Sequence, residues 1–208
     1  MTNERHWLEA AFTDPNVTVS VRSLICLRVK YLNVADAAAA SLKAWEDENA
    51  GVRRWYDEAF MRGSVAIVLS AFALEAAINE AATMLKLDDV AFAELDRANS
   101  NPLNKANAIA RHCGFQRVEK GSRTGQHARL LYRMRSGLAH ARAEWSDEAK
   151  THADLSSEIV QMGLPLSPFA GPIDKAFPVG CMSSGVAAWA VITAENYITE
   201  YYSAAGIS

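Results

Sequence analysis

The residues with the most chemistry in this chain lie between Arg129 and Arg142. Arg129, Arg133, Ser136 and His140 recur at i, i+4, i+7 and i+11, so a helix would place them on one face. Leu131, Met134, Leu138 and Ala141 fall on the opposite face, and Arg135 sits near the edge between the two. Arg142 adds one more cation just past His140. Histidine is the side chain able to move protons near neutral pH, and a guanidinium offers a fixed fork for phosphate oxygens. Together they suffice in principle for phosphodiester chemistry without a metal. The same residue types also make an ordinary solvated helix face, so spacing alone leaves both readings open.

These residues need positioning, and helical signals dominate the rest of the chain. The four alanines Ala37 to Ala40 lie in a helix begun near Val21 that runs to about Asp47, with a turn from Glu46 to Gly51. Val17 to Val21 alternates like a strand, with no partner strand evident. A long helix is expected from about Val52 to Leu87, with Gly63 as a potential break. It is apolar nearly all round from Val65 to Leu74, as befits a central helix. Asp88 can cap a short helix over Val90 to Leu95. Asn101-Pro102 opens another, to about His112, closed by Cys113-Gly114. After the loop Glu119 to Gly125, the helix bearing the arginines runs from about Gln126 to Trp145. Ser146-Asp147 can start another short helix. Residues 163–183 are Pro- and Gly-rich and form a long irregular connection. A closing helix follows from about Ser184 to Ser203. The expectation is one all-α domain over 1–208, an antiparallel helical bundle with its core in about 52–145 and 184–203. Residues 1–51 would be a helical extension of it.

Charge narrows the partners. The chain carries 21 basic and 24 acidic side chains, a net charge of −3. Eight Lys/Arg against one acid between Arg111 and Arg142 make that window +7 and leave −10 for the remainder. A basic stripe on an acidic body attracts a polyanion, or meets the acidic surface of another subunit. Three scattered cysteines argue against a disulfide framework or a metal knuckle, and no cluster with metal-ligand spacing is present. No phosphate-binding glycine loop is present, so no nucleotide cofactor is expected. The longest apolar run, ten residues, is short of the ~20 a membrane span needs. With no secretory h-region at the amino terminus, a cytoplasmic protein without membrane contact is expected.

Arg133-Met134-Arg135-Ser136-Gly137-Leu138-Ala139-His140 resembles the R-x(4–6)-H motif of the HEPN superfamily. Upstream, Leu69-Ser70-Ala71-Phe72-Ala73-Leu74-Glu75-Ala76-Ala77-Ile78-Asn79-Glu80 resembles the aLEa-iNe helix common in that superfamily. Lys105, between them, matches a helix that often carries a lysine. The resemblance implies an antiparallel helical bundle that dimerises, bringing two motifs into one cleft. It implies a metal-independent endoribonuclease without cofactor, of toxin–antitoxin or other defence systems, acting on RNA and held by a cognate antitoxin protein. His140 would be the acid/base residue and Arg135 its phosphate-binding partner. Arg129, Arg133, Ser136 and Arg142 would bind substrate, with Glu75, Asn79 and Lys105 as secondary candidates. The family often has Asn or Asp after the arginine; here it is Ser136, with a shorter reach. The alternative is a non-catalytic HEPN-like module that dimerises or binds a partner or nucleotide. Geometry gives dimerisation its own rationale. Residues five apart on a helix differ by about 140° in direction, so Arg135 and His140 converge more easily across a two-fold axis.

Overall fold

A computed structural model describes residues 26–49, 56–99, 101–139, 150–169 and 177–207. Among these the fold is all-α, as the sequence predicts, and no strand occurs. The helices are α1 (Leu27–Glu48), α2 (Tyr56–Met84), α3 (Asp89–Ala98), α4 (Pro102–Cys113), α5 (Arg123–Ala139), α6 (Lys150–Gln161) and α7 (Ser184–Ala205), with a 3-10 turn at Val179–Cys181. The strand-like stretch at Val17 to Val21 and the helix start at Ser146-Asp147 lie outside the described residues.

α2 is the axis of the molecule. Alanines on several sides of it (Ala59, Ala66, Ala71, Ala77, Ala81) are buried, and their small size lets α1, α5 and α7 approach its backbone. Gly63 does not break the helix. A Cβ there would meet the Met182 sulfur at 3.0 Å, so the missing side chain serves close packing. The stretch Asp57–Met84 is long and apolar enough to cross a membrane, more so than its interrupted apolar run suggests. Yet 61% of its most apolar window is buried against the protein's own helices.

α1 buries Ala35, Ala39 and Leu42, spaced i, i+4, i+7, against α2 and α7. Although placed by its sequence in an extension, α1 therefore contributes directly to the core. Glu80, near the end of α2, accepts from the Arg28 guanidinium at 2.7 Å, while Arg62, near its start, donates to the Ser41 carbonyl at 3.0 Å. α1 and α2 thus run in opposite directions. Glu46, late in α1, accepts from the backbone N–H and the hydroxyl of Ser184, the first residue of α7. Tyr202, late in α7, donates to the Ala77 carbonyl of α2 at 3.2 Å, so α2 and α7 point the same way.

Local chemistry explains several helix ends. Asp88 accepts from Ala91 N–H at 2.8 Å and Asn101 from Leu103 N–H at 2.9 Å, capping α3 and α4. Gly114, at φ +76°, closes α4 in the left-handed conformation that favours glycine. α1 continues through Glu48, into the segment expected as a turn. α5 starts at Arg123, three residues before the expected Gln126, because Ser122 rather than Gly125 marks its beginning. The Ser122 hydroxyl accepts from Gly125 N–H at 3.1 Å and donates to the Glu119 carbonyl at 2.8 Å.

Candidate functional site

Packing fixes which face of α5 looks inward. Leu130, Leu131 and Met134 are fully buried in the core shared with Ile67, Leu155, Phe177 and Met182. Gly137 lies flat against that wall: a Cβ there would sit 2.9 Å from the Phe177 ring and 3.2 Å from Leu155. Arg129 and Ser136 are exposed and Arg133 is half-buried, so the polar face is where periodicity places it.

The arginines of that face differ in their partners. Arg129 reaches Glu158 of α6 at 3.3 Å, and Arg133 reaches the other oxygen of the same carboxylate. Arg135 makes no hydrogen bond or ion pair among the described residues, and its Nε is buried without a partner. Its guanidinium carbon lies 5.2 Å from the centroid of the Phe72 ring on α2, a cation–π contact that leaves the donors unspent.

Two hollows meet at this arginine. One, about 480 Å³, is walled by Leu27 and Tyr31 of α1, Phe72, Glu75 and Asn79 of α2, and Arg135. The other, about 400 Å³, is lined by Asn101, Arg129, Tyr132, Arg133 and Ser136 together with Glu75 and Arg135. Glu75 and Arg135 belong to both. Glu75 accepts from the Tyr132 hydroxyl at 3.3 Å. Burial, and then the Glu75 carboxylate, hold the Tyr132 phenol well above its ordinary pKa. One turn along α2, the side-chain amide oxygen of Asn79, Oδ1, is buried without a hydrogen-bond donor. The site thus holds a free donor on α5 and a free acceptor on α2, beside two aromatic rings.

The structure brings Arg135, Glu75, Asn79, Arg129, Arg133 and Ser136 into one region of the surface. Lys105 is placed elsewhere. It is buried, bonds Asp96 of α3 at 2.5 Å and lies 5.2 Å from the Phe92 ring centroid, pinning α4 to α3. His140 and Arg142 lie outside the described residues. Sequence reasoning missed Phe72, Tyr132 and Glu158. Phe72 was available from the spacing 72, 75, 79 on one helix face. Elsewhere in the basic window, Arg117 pairs with Glu119, and Lys120 donates to Asn104 at 3.3 Å. Among the described residues no group of three His, Cys, Asp or Glu side chains could hold a metal ion. Comparison with known protein families, curated proteins and solved structures finds no match to this chain.

Proposed function

We propose that this protein is a metal-independent endoribonuclease of the HEPN type that works as a homodimer. The observation that supports this reading best is the state of Arg135. Of Arg129, Arg133 and Arg135, it alone has no acidic partner among the described residues, and it stands where two hollows join. A guanidinium left unpaired beside open space is poised for an oxyanion. Arg135 would hold the scissile phosphate while the RNA 2′-hydroxyl attacks phosphorus. The 2′-O–P bond forms as the P–O5′ bond breaks, leaving a cyclic phosphate and a 5′-hydroxyl. In this reading His140 takes the 2′-hydroxyl proton and a second His140, on the partner subunit, protonates the leaving oxygen. A toxin or defence effector in the cytoplasm, restrained by an antitoxin protein, is the setting this activity implies.

The test incubates single-stranded RNA in EDTA with the wild type, Arg135→Ala and His140→Ala, and identifies the new ends. Cleavage to cyclic phosphate ends by the wild type alone is expected. Cleavage by none of the three overturns the proposal, and equal cleavage by all three assigns the activity to a contaminant. Glu158 favours a second reading, a non-catalytic HEPN-like dimerisation or nucleotide-binding module, because it occupies two arginines that a substrate would use. RNA binding with Arg135-dependent affinity but no cleavage would select it.

A further inference from the structure

A separate hollow of about 300 Å³ opens at the start of α5, against the middle of α7. Its walls include Arg123 and His127 of α5 and Trp189, Thr193 and Asn196 of α7, and none of its lining residues is acidic. The Trp189 indole N–H donates to His127 Nδ1 at 3.1 Å. That bond requires Nδ1 to be bare, so a neutral His127 carries its proton on Nε2 and keeps a donor to give. Burial, and then the Arg123 charge, hold the imidazole pKa below its ordinary value and favour this neutral form. Thr193 is 3% exposed, and its hydroxyl is buried without a hydrogen-bond partner. A threonine in a helix ordinarily satisfies its hydroxyl on the carbonyl one turn back, and this one does not. Arg123 is the first residue of α5 and makes no ion pair among the described residues.

We infer that this hollow is a binding site for a phosphate group, held by Arg123, His127, Thr193 and Asn196. The donors outnumber what a carboxylate can use. A guanidinium fork, an imidazole N–H, a hydroxyl and a side-chain amide suit the several oxygens of a phosphate monoester or a nucleic-acid phosphate. The volume exceeds that of phosphate alone, and Trp189 and Ile192 provide an apolar wall for the attached carbon atoms. The site faces α7, whereas Arg135 faces α2, so it operates independently of the proposed ribonuclease centre.

The Trp189 indole N–H resonance, assigned by its loss in Trp189→Phe, reports on the site directly. The full chain is titrated separately with glycerol phosphate, acetate and a short single-stranded RNA. A saturable shift with glycerol phosphate or RNA, and none with acetate, is expected. A response to glycerol phosphate identifies a small phosphorylated molecule, and a response to RNA alone identifies a backbone phosphate. Arg123→Ala should weaken binding about ten-fold or more, the usual cost of a charged hydrogen-bond pair. Thr193→Val should weaken it less. Circular dichroism matching the wild type keeps each variant interpretable. No saturable shift with any phosphate, or binding undiminished in both Arg123→Ala and Thr193→Val, overturns the inference.

Discussion

Glu158 divides the arginines of α5 into two classes. Arg129 and Arg133 are partners of a carboxylate only 16% exposed, whereas among the described residues Arg135 holds to the fold through its cation–π contact with Phe72 alone. Arg135→Ala should therefore lower RNA cleavage by about 10²–10³-fold, the usual cost of losing a transition-state donor, while stability falls by no more than the roughly 0.5–1 kcal/mol of its cation–π contact. Arg135→Lys should recover only part, since an ammonium lacks the bidentate fork. Arg133→Ala should do the reverse, costing roughly 0.5–1 kcal/mol of stability in chemical denaturation, because half the pair is open to water. Glu158→Gln would release both arginines, so RNA binding should strengthen and its salt dependence steepen. A flat salt slope in that variant would show that the freed arginines do not meet phosphate. The polar face itself was legible from periodicity. The lock was not, because Glu158 is 25 residues from Arg133 and 29 from Arg129, and a helical wheel sees only one helix. Lys105 was opaque for the same reason: its counter-charge, Asp96, comes from a different element.

Elements defined by local chemistry were legible almost to the residue. The caps of α3 and α4 rest on side chains that bond within three residues of themselves, so their sequence contains the whole cause. Asn101→Ala should accordingly cost about 1 kcal/mol. Glycines misled the reading because a sequence does not say what stands opposite them. Gly63 was read as a break, yet its neighbour is the flexible Met182 side chain, so Gly63→Ala should be near neutral in melting temperature. Gly125 was read as loop, yet it lies in the first turn of α5 with the Glu119 carbonyl where a Cβ would be, at 2.2 Å. That backbone has nowhere to go. Gly125→Ala should destabilise by about 1–3 kcal/mol, the range for overpacking a tight contact. Similar melting temperatures for the two variants would refute the contrast.

At the scale of the whole molecule, the interior is tyrosine-rich where α2, α5 and α7 meet. Burial, with nearby carboxylates adding to it for some, raises the pKa of Tyr132, Tyr197 and Tyr201 above their ordinary 10.0 and pushes Tyr202 up to about 12. Burial also pushes the Cys181 thiol up to about 11. Each group keeps its proton when folded and loses it sooner when unfolded. Their contribution is thus complete below the unfolded values and is lost as pH rises through the folded ones. Melting temperature should fall steeply above about pH 10, with the phenolate absorbance of these tyrosines rising only as the chain unfolds. Early titration of all six tyrosines in a folded protein would contradict the packing. The proposed composite centre also demands two chains, so light scattering at tens of micromolar should report a dimer, and a clean monomer would remove its geometric basis.

Gly137 gives the helix of Arg135 no slack. With Phe177 and Leu155 pressed against the bare backbone two residues beyond the arginine, any added volume behind the helix must push it outward. The back wall therefore sets the aim of the front face, and displacements on the order of 1 Å are enough to cost an active site most of its rate. In a screen for loss of function, substitutions at Gly137, Leu155 and Phe177 would score alongside Arg135 itself. Folded but inactive variants at those three positions would trace a mechanical coupling that no inspection of the arginine alone reveals.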